Sequence, residues 1–335
     1  MQVKPTPIPV TILTGFLGSG KTTLLNHLIK ENPNIRFAII ENEFGEIPID
    51  NELVIQSEEN LFTLHNGCIC CSLQIDILEI LVKLSSKKYT IDHVIIESTG
   101  VADPAPVAQL FINSMQLQDY YTLNGVICVI DVKNFELQLS ENPEAVKQLA
   151  MADLILINKT DKVTSQNVDL AMQGIRYINI NSPIQLTLHA NVHANDLLNI
   201  KAYDLHKVEK AFSSVPLFTP VTEPARLLQV QPSKQHSTHQ IQTFSMQFKG
   251  NINFLKFNAW LNELIATDGN KLYRSKGIIS SSSSDRKVIF QTVHHEIDGL
   301  EGGKWGAKER ENKLVFIGKG LDEGRIRKGI LQCLA

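Results

Sequence analysis

Eight consecutive residues, 15–22, match the phosphate-binding pattern G-x-x-x-x-G-K-[ST]. Glycines let backbone N–H groups turn inward around phosphate oxygens, the lysine reaches the β- and γ-phosphates, and the threonine hydroxyl is a ligand for Mg²⁺. An apolar run over residues 9–14 precedes the pattern and a helical pattern over residues 22–31 follows it, so a helix N-terminus would face the anion. We therefore predict a nucleotide-binding loop formed by Gly15, Gly18, Ser19, Gly20, Lys21, Thr22 and Thr23.

A second apolar run ends in Glu97 and is followed by Gly100. A carboxylate at this position can hold Mg²⁺ or its water, and a glycine lets the backbone approach the γ-phosphate. Many strands end in an acid, so the assignment depends on the phosphate-binding loop upstream. Together with that loop, the pattern predicts Lys21, Thr22 and Glu97 as the catalytic residues of a nucleotide hydrolase, and Gly100 as a nucleotide contact.

The sequence Asn158-Lys159-Thr160-Asp161 directly follows another apolar run. An aspartate can accept hydrogen bonds from N1–H and the 2-amino group of guanine, and adenine lacks that amino group. The asparagine amide would support the opposite edge of the base, and the lysine stem would lie over it. The same residue types also suit a helix N-cap. Their place after the loop and Glu97 favours guanine, and therefore GTP as the nucleotide.

Three of the five cysteines lie within four residues, as Cys68, Cys70 and Cys71. Thiolates this close together can bind Zn²⁺ or a related cation, and a helix starting at Ser72 would favour the thiolate form. Three sulfurs leave one tetrahedral position open for an acid, a water molecule or a ligand from a partner. Small apolar filling of the core and a redox switch remain alternative interpretations.

The segment 41–46 follows the second predicted strand and occupies the place where switch I of a P-loop GTPase tends to lie. Its acids, among them Glu41 and Glu46, would serve Mg²⁺, an attacking water or the cysteine-bound metal. A solvated acidic loop is the alternative.

Other candidate residues have simpler interpretations. His236 and His239 fall in a predicted linker, and the sequence leaves open whether they bind metal. His294 and His295 are adjacent, so on a strand they would face opposite sides and would not share a metal. Cys128 lies in an apolar run and is expected in the core.

The composition narrows the class of protein. The chain has 335 residues, 43% of them apolar, and a net charge of -3, with no basic run that indicates nucleic-acid binding. No apolar stretch approaches the ~20 residues needed to span a bilayer, and residues 1–9 contain no apolar signal segment. An odd number of cysteines does not suggest a disulfide framework. These features predict a soluble cytoplasmic protein.

The motifs require a sheet to position them. Strands are predicted at 9–14, 36–41, 93–97, 125–131, 153–158 and 183–188, and helices at 22–31 and 72–84, with a polar segment between residue 41 and the cysteines. The strand runs are apolar throughout, which is typical of parallel strands covered on both faces. We expect an α/β P-loop NTPase domain over residues 1–205, with a doubly wound, mostly parallel sheet.

A different pattern begins beyond residue 205. Residues 206–240 carry four prolines among polar residues and are predicted to be a linker. Residues 241–335 are predicted to form a smaller α+β domain. It contains a first strand from 241, an amphipathic helix with Phe254, Phe257, Leu261 and Leu264, strands at 272–280, 287–292 and 314–317, and a closing helix from about 322.

Taken together, the motifs resemble those of the CobW-like P-loop GTPases, which include zinc-regulated GTPase metalloprotein activators and YjiA-type proteins. The resemblance is carried by GFLGSGKTTLLNHL, ENEFGE, NGCICC, IIESTGVADPAPV, INKTD and VFIG. It covers nearly the whole chain, dense over residues 9–161 and looser over 241–335.

The resemblance implies slow GTP hydrolysis and binding of zinc or a related metal, with cobalt also possible, for a client metalloprotein. Carried over by position, Asn158, Lys159 and Asp161 are the guanine readers, Glu97 is the Walker B acid, and the three clustered cysteines are the metal thiols. Glu41 and Glu46 are possible additional ligands.

The chain departs from the family in two places. Only His236 and His239 stand where many members have a histidine-rich stretch, and residues 1–9 lack the cysteine motif with which some members dock a client. The sequence predicts a GTP-hydrolysing metallochaperone with no nucleic-acid or membrane partner, and it leaves open whether the chain forms a homo-oligomer. A zinc sensor or buffer and a cobalt-insertion factor for corrin synthesis are the alternatives.

Overall fold

The computed structural model describes residues 6–41, 61–65, 73–85, 90–203, 241–307 and 309–335. The chain divides into two compact units, one comprising Met1–Arg176 with Ser182–Asp204 and the other Tyr177–Asn181 with Leu205–Ala335. The domain limits expected from the sequence remain a prediction. Among the described residues, no helix has the length and apolar character needed to cross a membrane.

The first unit is built on a parallel sheet of seven strands. Its spatial order is β3-β2-β4-β1-β5-β6-β7. The strands are β1 (Ile8–Thr14), β2 (Phe37–Glu41), β3 (Leu61–His65), β4 (His93–Glu97), β5 (Tyr121–Asp131), β6 (Leu154–Asn158) and β7 (Ile184–Leu186). The central strands are almost fully buried, as expected when helices cover both faces of a parallel sheet. The predicted α/β class is confirmed.

Helices follow the strands in alternation. They are α1 (Lys21–Glu31), α2 (Leu73–Leu84), α3 (Ala105–Asn113), α4 (Met115–Gln118), α5 (Phe135–Glu141), α6 (Pro143–Met151), α7 (Ser165–Ile178) and α8 (Ala194–Leu198). In α1, the side chains of Leu24, Leu25 and Leu28 are buried in one core cluster with Ile95 and Ile127 of the sheet. This apolar stripe holds the helix N-terminus, which begins at Lys21, at the carboxyl edge of the strands.

One strand of this sheet was not predicted. Residues Leu61–His65 lie within the segment that we described as polar, and for which we predicted no strand, yet they pair in parallel with β2, Leu61 opposite Phe37. Thr63 and His65 interrupt the apolar run of this segment, so its pattern does not distinguish a strand from a loop. Pairing with β2 determines that this segment is a strand, and the pattern within the segment does not reveal that pairing.

The second unit contains an antiparallel sheet of five strands in the order β11-β10-β9-β12-β8. Its elements are β8 (Ile241–Lys249), α9 (Phe254–Asp268), β9 (Leu272–Ser280), β10 (Arg286–Val293), β11 (Glu296–Lys304), β12 (Glu311–Lys319) and α10 (Glu323–Leu331). The helices bury Phe257 and Ile326 against Phe290 and Phe316 of the sheet. The predicted smaller α+β fold is confirmed, with β11 added. Glycines and acids interrupt the apolar pattern of that strand.

The expected placement of His294 and His295 on a strand is wrong. Val293 pairs with Glu296, so the two histidines form the two-residue turn between β10 and β11. His294 has a φ of 50°, and its Nδ1 lies 3.2 Å from the carbonyl oxygen of Gly269. Nε2 of His295 lies 2.9 Å from Oδ1 of Asn270. Both rings therefore contact the connection between α9 and β9. These contacts give the two histidines a structural role in the turn.

Candidate functional site

The phosphate-binding loop runs from the end of β1 to the start of α1, and three of its residues have positive φ angles. These are Gly15 at 137°, Gly18 at 72° and Gly20 at 107°. A Cβ on Gly15 would lie 2.2 Å from the carbonyl oxygen of Val129, and one on Gly20 would lie 2.4 Å from Nδ2 of Asn158. Glycine is therefore required both by conformation and by close packing against β5 and β6. The resulting turn leaves a cradle that suits phosphate oxygens.

Lys21 spans this loop from within. Its Nζ donates to the carbonyl oxygen of Gly15 at 2.9 Å and lies 3.5 Å from that of Phe16. Burial lowers the pKa of the lysine, while the negative charge of Glu97 opposes that shift. The ammonium is thus partly desolvated and held within the loop. An incoming phosphate would supply the counter-charge that the loop carbonyls provide in part.

Thr22 and Glu97 meet at the edge of the same loop. Oγ1 of Thr22 lies 3.5 Å from Oε1 of Glu97. Parallel pairing of β1 with β4, Leu13 opposite Glu97, brings the two carboxyl strand ends side by side. A hydroxyl and a carboxylate are hard oxygen donors of the kind that Mg²⁺ prefers. The donor set therefore fits the ion that the motif predicts.

The segment that follows Glu97 is packed against the loop. The backbone N–H of Ser98 donates to the carbonyl of Leu13 at 2.9 Å. A Cβ on Gly100 would lie 2.5 Å from the backbone nitrogen of Leu17, so glycine permits this close approach. The Oγ1 atom of Thr99 is buried and has no hydrogen-bond partner among the residues that the structure describes. Such a hydroxyl is costly unless a ligand or water satisfies it.

The predicted guanine-reading residues lie at the end of β6. Asn158 is buried, with Nδ2 donating to the carbonyl of Ser19 at 2.9 Å and Oδ1 accepting from the N–H of Ala190 at 3.0 Å. These contacts tie the phosphate-binding loop to the segment after β7. Lys159 has a φ of 60°, and its Nζ donates to the carbonyl of Gly18 at 2.6 Å. The structure thus brings this motif and the loop into direct contact.

Asp161 is partly exposed at the same edge. Its Oδ2 lies 2.9 Å from Nζ of Lys162. The hydrogen bond from Lys162 lowers the pKa of the carboxyl group, and the charge of the lysine acts in the same direction. The group is therefore ionised at neutral pH and acts as a hydrogen-bond acceptor, which is the form required to pair with N1–H and the 2-amino group of guanine.

Two family models match the sequence that builds this site and the unit that follows it. The model described as "CobW/HypB/UreG, nucleotide-binding domain" covers residues 9–185, and "Cobalamin synthesis protein cobW C-terminal domain" covers residues 241–334. The chain belongs to the CobW/HypB/UreG family. The P-loop geometry and this membership make it a P-loop GTPase, as the motifs predict.

Individual relatives resemble the chain over almost its full length. The zinc chaperone YjiA of Escherichia coli is 31% identical over 325 residues, covering 96% of this chain and 97% of its own. The zinc-regulated GTPase metalloprotein activator 1 of Saccharomyces cerevisiae is 29% identical, covering 96% of this chain and 82% of its own.

Solved structures of YjiA resemble the chain as well. The crystal structure of Zn(II)-bound YjiA GTPase from E. coli matches with a TM-score of 0.77 and 27% identity over 99% of this chain and 100% of that one. A Zn(II)-bound YjiA triple mutant, in which one glutamate and two cysteines are changed to alanine, matches with a TM-score of 0.78 and 27% identity, over the same shares of the two chains.

The metal residues predicted for this CobW/HypB/UreG member fall mostly outside the described residues. Cys68, Cys70, Cys71 and Glu46 do so, as do His236 and His239. The backbone of Glu41 ends β2, in register with Glu97 of β4. Within the described ranges, no group of three or more His, Cys, Asp or Glu side chains is arranged to hold a metal. The ligand set therefore remains a prediction.

Asp131 was missed in the sequence and belongs to this site. It ends β5 and is 2% exposed. Its Oδ2 accepts from Nζ of Lys159 at 2.9 Å and from Nδ2 of Asn134 at 2.8 Å, and its Oδ1 accepts from the N–H of Lys133 at 3.0 Å. The available signal was an acid at the end of an apolar run, the same signal that identified Glu97.

The segment 187–191 is a second feature that sequence reasoning missed. His189 and Ala190 have φ angles of 51° and 56°, and Ala190 contacts Asn158 as described above. Oγ1 of Thr160 lies 3.3 Å from the carbonyl of Thr187. Histidine and alanine are both ordinary residues in a loop, so His189 and Ala190 gave no signal in the sequence that would have identified this segment.

Proposed function

We propose that this GTPase is a metallochaperone that binds zinc, or a related transition metal, through Cys68, Cys70 and Cys71 and transfers it to a client metalloprotein. Mg²⁺ held by Thr22 and Glu97 would accompany GTP, and Glu41 and Glu46 are possible further metal ligands. The three cysteines supply thiolates, which suit Zn²⁺ and other soft-accepting cations. The zinc chaperone and zinc-regulated activator among the relatives support the same role.

The observation that carries this proposal is the contact between α2 and α3. Helix α2 begins two residues after Cys71, and α3 begins five residues after Gly100. Nε2 of Gln74, in the first turn of α2, donates to the carbonyl of Pro106, in the first turn of α3, at 2.8 Å. A rearrangement of the segment beside the γ-phosphate would therefore reach the helix that follows the cysteines in the sequence.

In the hydrolysis step, the protein acts by positioning and by charge. Lys21 stabilises negative charge on the β- and γ-phosphates, and the glycine cradle orients them. Mg²⁺, when bound, neutralises developing charge on the phosphate oxygens. Release of the γ-phosphate would relax residues 97–104, and through α3 and α2 it would alter the geometry of the cysteine cluster.

Zinc affinity measured in two nucleotide states tests the proposal. If GTP and metal act through one linked segment, each changes the affinity of the other by the same factor, which is typically several-fold to ~100-fold. Cys70→Ser and Cys71→Ser should lose tight zinc binding and its nucleotide dependence, yet still bind GTP. Competition titrations with a non-hydrolysable GTP analogue and with GDP measure this directly. Bound zinc alone is not a sufficient readout, because the YjiA triple mutant is itself Zn(II)-bound.

Equal zinc affinities in the two nucleotide states of the wild type would refute the coupling. They would favour a zinc buffer in which nucleotide acts independently. A cobalt-insertion role is a second candidate, because the C-terminal model is described as a cobalamin synthesis domain. The same titration with Co²⁺ in place of Zn²⁺ distinguishes them. Nucleotide-dependent affinity for cobalt and not for zinc would support the cobalt role.

A further inference from the structure

Gln148 makes two hydrogen bonds to the segment that follows Glu97. This residue lies on α6 and is 1% exposed. Its Nε2 donates to the carbonyl oxygens of Gly100, at 3.1 Å, and of Ala102, at 3.0 Å. One buried amide group therefore uses both of its hydrogens to hold two carbonyls of a single short segment.

The same segment is held at two further points. Gly100 packs against the backbone of Leu17 in the phosphate-binding loop, as described above. Nζ of Lys147, next to Gln148 on α6, lies 3.3 Å from Oδ2 of Asp103. The peptide units between Glu97 and α3 are thus confined between the phosphate-binding loop on one side and α6 on the other.

We propose that Gln148 is a positioning residue for GTP hydrolysis, which holds the Gly100 peptide beside the γ-phosphate without touching the nucleotide. GTP and GDP differ in the γ-phosphate, and in P-loop GTPases the segments that contact this group change order between the two states. A donor pair that fixes the Gly100 and Ala102 carbonyls lowers the cost of ordering that segment when GTP binds. GDP binding depends on the phosphate-binding loop and on the contacts to the base. It does not require the segment that contains Gly100 and Ala102 to be ordered.

The inference concerns the nucleotide site and is independent of the proposed metal transfer. It requires no zinc, no client and no particular set of metal ligands. A failure of the zinc titrations therefore leaves it standing, and a failure of the test below leaves the zinc proposal standing.

The test is to replace Gln148 with methionine, which has similar volume and no donor. Two neutral buried hydrogen bonds are lost, so we expect about tenfold weaker binding of a non-hydrolysable GTP analogue and a similar fall in kcat. GDP affinity should change by less than about twofold, because the phosphate cradle is intact. Binding of fluorescent nucleotides and single-turnover hydrolysis, both without added zinc, measure these quantities.

Asn312 offers a matched control in the other unit. It is fully buried, and its Nδ2 donates to the carbonyls of Phe248, at 3.2 Å, and Gly250, at 2.8 Å. Asn312→Leu removes the same pair of donated hydrogen bonds, and with it the acceptor for the N–H of Ser280, at a position far in sequence from the nucleotide-binding motifs. We expect a lower melting temperature and an unchanged ratio of GTP-analogue to GDP affinity.

Equal weakening of GTP analogue and GDP in Gln148→Met would overturn the proposal, because it indicates a general structural role. If that variant does not fold, Lys147→Met releases the same segment at Asp103, through a side chain that is 31% exposed. This second variant should lower GTP-analogue affinity about threefold and spare GDP. An unchanged ratio in Lys147→Met would then overturn the proposal.

Discussion

Nζ of Lys159 bridges two segments of the nucleotide site, 2.9 Å from Oδ2 of the buried Asp131 and 2.6 Å from the carbonyl of Gly18. The acid ends β5, the lysine follows β6, and the glycine belongs to the phosphate-binding loop. Lys159 therefore has a second role besides the predicted packing of its stem over the base. It links the predicted base-reading motif to the phosphate-binding loop, and Asp131 fixes the position of its charged end.

Asp131→Asn should weaken the binding of GTP and GDP by a similar factor, about three- to tenfold, because both nucleotides use this spacing. The value of kcat at saturating GTP should stay within about twofold, since Asp131 hydrogen-bonds Lys159 of the predicted base-reading motif, whereas the predicted catalytic residues are Lys21, Thr22 and Glu97. Asp92→Asn is the control, because Asp92 also pairs with a basic side chain, Arg36, in an exposed contact at the start of β4. Equal effects of the two variants would contradict the assignment.

Lys21→Ala should lower kcat for GTP hydrolysis by at least ~100-fold while leaving the fold intact, because the ammonium stabilises charge that develops on the transferred phosphate. Phosphate release under saturating GTP measures the rate, and circular dichroism verifies folding. Lys30→Ala removes an exposed lysine from the same helix and should leave the rate unchanged. Wild-type turnover in Lys21→Ala would show that the catalytic site lies elsewhere.

Asp161→Asn should reverse the preference for the base. In the predicted site the ionised carboxylate would accept from the 2-amino group of guanine, whereas an asparagine amide can donate to the 2-oxo group of xanthine. We expect GTP affinity to fall by at least ~tenfold and XTP affinity to rise. Competition of XTP and GTP against a fluorescent nucleotide measures the ratio. Equal affinity of the wild type for ATP and GTP would refute the guanine assignment.

How far the sequence predicts this site depends on where each contact partner lies in the chain. Gly15, Lys21 and Thr22 belong to one short motif between a strand and a helix, so local pattern and phosphate chemistry suffice to place them. Gln148 and Gly100 are 48 residues apart, and Lys159 and Asp131 are 28 apart. No sequence motif predicts the spacing of either pair. The packing of α6 brings Gln148 to Gly100, and the order of the strands brings Lys159 to Asp131.

The strands show the same distinction. The strand β4 was predicted with the bounds that the structure has, because burial on both faces leaves a continuous apolar run, Val94 to Ile96, before Glu97. The edge strand β3 and the glycine-rich β11 were missed. Their strand conformation depends on pairing with a neighbour, Leu61 opposite Phe37 in one case and Glu296 opposite Val293 in the other. The sequence within either segment does not indicate the strand with which it pairs.

The buried histidine His93 should make stability depend on pH. It is 3% exposed, and its Nε2 lies 2.8 Å from Oγ1 of Thr11, which also accepts from Nδ2 of Asn124 at 2.8 Å. Burial lowers the pKa of His93 from its ordinary value of 6.5 to about 4. The folded protein therefore keeps the ring neutral in a range where the unfolded chain takes up a proton.

Below pH 6.5 the unfolded state binds more protons than the folded state, so the free energy of unfolding falls as the pH drops from about 6.5 to about 4. Between pH 7 and pH 4.5 this group alone should remove about 2 kcal/mol, since one pKa unit corresponds to about 1.4 kcal/mol. In His93→Gln that part of the pH dependence should disappear, whatever the stability of the variant at pH 7.

Urea unfolding of the first unit, followed over this pH range, measures how steeply the free energy of unfolding depends on pH in the wild type and in the variant. His193→Gln, at an exposed histidine, should keep the wild-type slope. Parallel curves for wild type and His93→Gln would mean that His93 does not control the acid sensitivity of this fold.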